Sequence, residues 1–199
     1  MLNRRTFLKA TAAIWVAGTS EILVAGYGTS SRISDSDEPS RIIRHYEMPD
    51  VSLTNQDGDP AHLHNELQYE GPVLLDFIFT TCAGICPILS ATFSRTANLL
   101  GEDAQRARLW SISIDPDYDT PERLTMYRKQ FKANEHWQFF TGTTAAIKSV
   151  RQAFNTDSDN KMAHQSLVLL RVKNNTWMRF EGDINAEHLA TEVRRNLNQ

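Results

Sequence analysis

From Val73 to Thr81 the chain reads VLLDFIFTT, apolar at almost every position and rich in β-branched and aromatic side chains. A run of this length, entered through Gly71-Pro72, predicts a strand buried on both faces, as in a parallel or mixed sheet. Beyond it the period changes. Ile88, Leu89, Phe93, Ala97 and Leu100 fall on one helix face, so residues 87–100 are expected to be helical. Pro87 then lies in the first turn, where a missing N–H costs nothing. RLWSISID (108–115) repeats the strand pattern, and Thr120-Pro121-Glu122 supplies an N-cap and a first-position proline for a helix to about residue 133. WQFFTG (137–142) is a third strand and 143–154 a helix. SLVLLRV (166–172) and NTWMRFEG (175–182) are two strands joined through Lys173-Asn174-Asn175, and 185–197 is a closing helix.

Ahead of these elements, MPDVSLTNQDGDPAHL (48–63) forms two short extended pieces around Asn55–Asp59, with Asp57-Gly58 as the turn signal. Alternating strands and helices call for an α/β layer architecture. The expected fold class is therefore α/β: a mixed central sheet flanked by helices, with an N-terminal β-hairpin extension.

The first 26 residues do not belong to this pattern. MLNRRTFLKATAAIWVAGTS starts basic and runs into an Ala-rich apolar stretch, the layout of an export signal. Arg4-Arg5 followed by Thr6-Phe7-Leu8-Lys9 resembles the twin-arginine address. Glu21 and several Gly, Thr and Ser residues dilute the apolar run below the ~20 residues a membrane span needs. Residues 1–26 are thus expected to be a twin-arginine-like export signal, and 27–44 a polar, Ser- and Asp-rich flexible linker. Residues 45–199 are expected to be the folded domain. The expected location is periplasmic, or on the inner membrane facing the periplasm if the leader is retained. At 199 residues the chain has room for one ordinary core, and a net charge of −3 argues against nucleic acid as a partner. A monomer with no membrane contact beyond the leader is expected.

The chemistry is concentrated in one place. The only two cysteines, Cys82 and Cys86, lie where the buried strand gives way to the helix. Thioredoxin-type folds place their redox pair at such a junction. A structural disulfide is the default for two cysteines in an exported protein. A loop this short, however, returns only about 2 kcal/mol in the loop-closure model, against about 3 for a 15-residue loop. On a regular helix the two Cβ atoms would be about 5–6 Å apart, beyond the roughly 3.5–4.5 Å of a disulfide. Gly84 and the pre-proline position of Cys86 point instead to a loop-like segment that brings the sulfurs together. That proximity serves a redox pair, and equally two thiolates on one soft ion, Cu(I) or zinc. A helix N-terminus favours the thiolate that both chemistries require.

A metal site needs a third donor. Of the six histidines, His164 stands in DNKMAHQSLVLL just before the strand at 166–172, so its loop can face the cysteines if that strand is central. His62 and His64 alternate in an expected edge strand, and with His45, His136 and His188 they read as surface or packing residues. Met162 reads as filler more than as a thioether ligand. Asp115, in Ser-Ile-Asp-Pro, either supports the cysteine loop by a hydrogen bond or simply forms an Asp-Pro turn. Trp110, Trp137 and Trp177 are expected in the core.

FIFTTCAGICPILSATF, SISIDPDYDTPERL and the histidine before SLVLLRV together resemble the SCO (SenC/PrrC) family, in order from about Met48 to the C-terminus. The resemblance implies a thioredoxin-like fold and a copper ion, Cu(I) or Cu(II), bound by Cys82, Cys86 and His164. It implies a metallochaperone that delivers copper to the binuclear centre of cytochrome c oxidase subunit II or to another periplasmic cuproprotein. It also leaves open a thiol-disulfide oxidoreductase acting through Cys82 and Cys86. The Cys-x-x-x-Cys spacing, and His164-Gln165 where thioredoxins carry a cis-proline, argue mildly against the second role. Two departures stand out: Ala163 precedes His164 where the family often has Asp, and the leader is interrupted by Glu21.

Overall fold

The apolar run is the centre of the molecule. In the computed structural model, which describes residues 40–157 and 166–198, strand β4 (Val73–Ile78) is buried at every position. It pairs in parallel with β5 (Arg108–Ser113) and antiparallel with β7 (Leu167–Lys173). The full sheet also holds β1 (Ser40–His45), β2 (Ser52–Asn55), β3 (Pro60–His62), β6 (Trp137–Thr141) and β8 (Thr176–Glu181). Its order is β1-β8-β7-β4-β5-β6-β2-β3. The hairpin around Asn55–Asp59 forms β2 and β3 and joins the sheet through β6. Gly58 takes the positive φ its turn requires, +89°.

The helices are α1 (Leu63–Glu66), α2 (Ile85–Leu100), α3 (Pro121–Gln130), α4 (Thr144–Ala153) and α5 (Ala186–Leu197), with a 3₁₀ segment at Gly101–Arg106. Strand alternation sorts the core into two layers. On one face Trp137 stacks on Phe139 and meets Phe93 of α2, while Tyr127 of α3 packs edge-on against Phe139. On the other, Phe154 at the end of α4 meets Tyr46, Phe77 and Trp177. Trp110, Trp137 and Trp177 are buried, as expected.

Thr120 caps α3 and Pro121 occupies its first turn, as the sequence predicts. Thr143 caps α4 by accepting the Ala146 N–H at 3.1 Å. Replacing Thr143 with Ala is expected to lower unfolding free energy by about 1 kcal/mol, read as a lower urea midpoint with an unchanged slope.

Several expectations need correction. Residues 40–44, assigned above to the linker, form β1, which pairs along its whole length with β8. His64 lies in α1, so it does not share a strand face with His62. The strand expected to reach Thr81 stops at Ile78, and the following helix starts at Ile85 instead of Pro87. Cys86 is helical despite preceding proline. The expected leader 1–26 and the linker as far as residue 39 lie outside the described residues. No helix among the described residues is long and apolar enough to cross a membrane.

Candidate metal centre

Two parallel strands, β4 and β5, end side by side, and their following loops make the site. After β4 the chain turns at once: the Cys82 N–H donates to the Phe79 carbonyl at 3.0 Å. Gly84 is the N-cap of α2, which places Cys86 in the first helical turn. Both cysteines are free. Cys82 is half-buried and Cys86 fully buried. The two thiols hydrogen-bond to each other.

Their environments differ. Partial desolvation is the largest single effect on Cys82 and acts to raise its pKa. The Cys86 thiol and the backbone N–H groups of Cys86, Gly84 and Ile85 outweigh it together, so the Cys82 thiol lies below its ordinary value. These amides are the unpaired donors of a helix N-terminus, gathered around one sulfur. Burial pushes the Cys86 thiol well above the ordinary range, and its hydrogen bond to Cys82 adds to the rise. One accessible, activated sulfur therefore sits against one buried, protonated sulfur.

Two buried carboxylates back this pair. Asp76, in the middle of β4, accepts from Ser111 Oγ at 2.6 Å, and that oxygen also accepts from Trp137 Nε1 at 2.9 Å. The other oxygen of Asp76, Oδ2, has no hydrogen-bond partner among the described residues. Burial raises the Asp76 carboxyl from 3.8 to about 7, against the lowering pull of Ser111. Asp119 is also fully buried. It accepts from the Thr80 N–H at 3.1 Å, from Thr80 Oγ1, and from Ser113 Oγ at 2.6 Å. Asp119 thus reaches the cysteine loop through Thr80. Asp115, considered for that role above, uses its carbonyl to accept the Tyr118 and Asp119 N–H groups of its own turn. The sequence shows three Asp residues in the stretch DPDYDT, Asp115, Asp117 and Asp119, and nothing local marks which of them turns inward.

His164 lies outside the described residues, as do Met162 and Ala163. Among the described residues no group of three or more His, Cys, Asp or Glu side chains is arranged to hold a metal. The remaining histidines are engaged away from the cysteines. His45 Nδ1 lies 3.3 Å from Thr176 Oγ1, His64 Nε2 lies 3.2 Å from Gln68 Nε2, and His136 Nε2 lies 3.5 Å from Glu135. The His188 ring packs edge-on against Phe180. His62 is exposed on β3. Cys82 and Cys86 thus supply two soft donors, suited to a soft ion such as Cu(I).

A family model described as SCO1/SenC matches residues 38–198. The chain is 32% identical over 138 residues to the SCO1 protein homolog of Bacillus subtilis, an alignment covering 63% of this chain and 68% of that protein. Among solved structures it resembles BsSco, a member of the Sco family of cytochrome c oxidase assembly proteins in which a disulfide switch has been identified. That match has a TM-score of 0.62 and 27% identity, covering 77% of this chain and 95% of the other. It also resembles Bradyrhizobium japonicum ScoI with copper bound, with a TM-score of 0.61 and 22% identity over 78% of this chain and 99% of that one. These likenesses agree with the expected thioredoxin-like fold, its mixed sheet flanked by helices.

Proposed function

The chain belongs to the SCO1/SenC family, and from that premise we propose that it is a copper-binding metallochaperone. Copper is its cargo, held as Cu(I) by the thiolates of Cys82 and Cys86 and by His164. It is delivered to the binuclear copper centre of cytochrome c oxidase subunit II or to a related periplasmic cuproprotein. The twin-arginine-like leader supports export to that compartment. The observation that carries the reading is the paired sulfurs at the α2 N-terminus, one of them activated by backbone amides. The copper-bound solved relative supports the choice of metal.

What supports His164 as third donor is the register of β7. Val168 pairs with Asp76 across β7 and β4, and these strands are antiparallel. The start of β7 therefore lies at the end of β4 that leads to the cysteines. His164 stands two residues before Ser166 in the sequence. Three-coordinate Cu(I) leaves room for a donor from the acceptor protein to enter before the first donor leaves, so the ion passes without being free in solution.

The test is copper stoichiometry after anaerobic loading, followed by competition with a chromophoric Cu(I) chelator. We expect about one copper per chain in the wild type and a ten- to hundredfold weaker affinity in His164→Ala, about 1.4–3 kcal/mol. Unchanged affinity in that variant would remove His164 from the site.

A second reading is favoured by the asymmetry of the two thiols. An accessible Cys82 thiolate can attack a client disulfide to give a mixed disulfide, which Cys86 then resolves, releasing the client as dithiol and leaving Cys82–Cys86 oxidised. The disulfide switch of BsSco is in keeping with this. Brisk reduction of a disulfide substrate by metal-free protein, unaffected by His164→Ala, would favour the oxidoreductase over the chaperone.

A further inference from the structure

The sulfur that must be presented to solvent, Cys82, closes a four-residue turn beginning at Phe79. Thr80, its second residue, is gripped from outside by a carboxylate 39 positions later in the chain: its N–H and its hydroxyl both donate to Asp119. Asp119 is held in turn by Ser113 Oγ at the end of β5 and by its own N–H on the Asp115 carbonyl at 2.8 Å. Ser113 Oγ also accepts the Asp115 N–H at 3.0 Å. The result is a partly buried latch, closed on the buried Asp119 carboxylate, between the loop after β4 and the loop after β5.

We propose that Asp119 is a positioning residue for Cys82: through Thr80 it fixes the turn that sets the Cys82 sulfur against Cys86. The proposal rests on the reading above only in taking these two sulfurs as the working pair. Every group that Asp119 accepts from is a donor, so a carboxylate, which offers acceptors alone, suits the position. An Asn amide would set an N–H against one of those donors and break at least one bond. Thr80→Val removes the hydroxyl donor at nearly constant volume and keeps the amide. Thr80→Ser keeps both donors. Loosening the turn lowers the effective concentration of one thiol at the other, the quantity on which intramolecular bond formation depends.

The experiment is equilibration of the metal-free, full-length chain in glutathione buffers. Each event converts two thiols and one glutathione disulfide into the Cys82–Cys86 disulfide and two glutathiones, with both electrons and both protons accounted for. Thr80→Val and Asp119→Asn are each expected to lower the disulfide-formation constant about tenfold, a potential about 30 mV less negative. Thr80→Ser is expected to remain within about threefold of the wild type. Far-ultraviolet circular dichroism of the reduced proteins identifies the variants that fold; if Asp119→Asn does not, Thr80→Val and Thr80→Ser decide. A potential that is unchanged, or more negative, in folded Thr80→Val overturns the latch. So does Thr80→Ser behaving like Thr80→Val, since the effect would then be one of packing. Because this measurement uses no copper, a wild type that fails to bind copper would defeat the chaperone reading and leave the latch result standing.

Discussion

Cys86→Ala is expected to abolish copper retention, weakening Cu(I) binding by on the order of a thousandfold or more, about 4 kcal/mol. A soft ion held by two thiolates loses half its sulfur ligation when one is removed, and no other sulfur lies in the cysteine loop. Cys86 is the more informative of the pair because it is fully buried at the first turn of α2. No external ligand can easily take its place there, whereas a small thiol from solvent can substitute for the half-exposed Cys82. The same change removes the thiol that hydrogen-bonds Cys82 and helps hold its pKa down. In metal-free protein, iodoacetamide is therefore expected to label Cys82 before Cys86 in the wild type at neutral pH, and to label Cys82 more slowly in Cys86→Ala. Copper per chain after anaerobic loading and gel filtration is the primary measurement. A Cys86→Ala protein that keeps one copper through that procedure would show that the buried sulfur is not a ligand. Truncating one small side chain in the first helical turn is expected to leave the fold intact, and circular dichroism checks this.

The second large effect is on stability. Asp76→Asn is expected to stabilise the reduced protein by roughly 4 kcal/mol at pH 8 and by less than half of that at pH 5. The sign follows from the direction of the shift. Burial raises the folded-state carboxyl from 3.8 to about 7, so between those values the folded chain holds a proton that the unfolded chain has released. Stability contributed by this group then falls as pH rises through that window and levels off above about 7. An asparagine copies the shape of the protonated acid, still accepts from Ser111 Oγ, and never ionises. Urea unfolding of both proteins at pH 5 and pH 8, under reducing conditions, reads the difference directly. Comparing the two proteins at each pH removes the contributions of other titrating groups. An equal difference at both pH values would show that Asp76 does not change protonation across the range. The strand thus carries a carboxyl at a destabilising position in the layer beneath α2, with one oxygen left without a hydrogen bond among the described residues. An apolar residue or an amide there would fold better at neutral pH.

Much of the fold was legible because it depends on local rules. The run of buried residues in β4, the Thr120-Pro121 start of α3 and the Asp57-Gly58 turn are each set by neighbours within a few positions. So is the turn between β7 and β8, where Asn174 takes φ +49°. Strand β1 was missed for the converse reason. SRIIRH shows no alternation: Ile43 is exposed and Ile42 only half-buried. Its order comes from backbone pairing with β8, to which a sequence pattern contributes little. Helix α2 starts before Cys86, against the pre-proline tendency, because the first-turn N–H groups need no intrahelical partner and Gly84 supplies the cap.

By itself the sequence determined that two sulfurs, and only two, would lie between a buried strand and a helix, and which family pattern surrounds them. Covalent order and short-range periodicity suffice for that. Only the tertiary structure decided that Cys86 is the buried sulfur and Cys82 the activated one, and that Asp119 reaches the cysteine loop through Thr80. It likewise decided that burial beneath α2 would raise the Asp76 carboxyl to about 7. The placements of Asp119 and Asp76 depend on groups brought together by the pairing of β4 with β5, 35 to 39 positions apart in the chain, and on the water that pairing excludes. Desolvation and hydrogen bonding at such distances follow from packing, and no local pattern of residues encodes them.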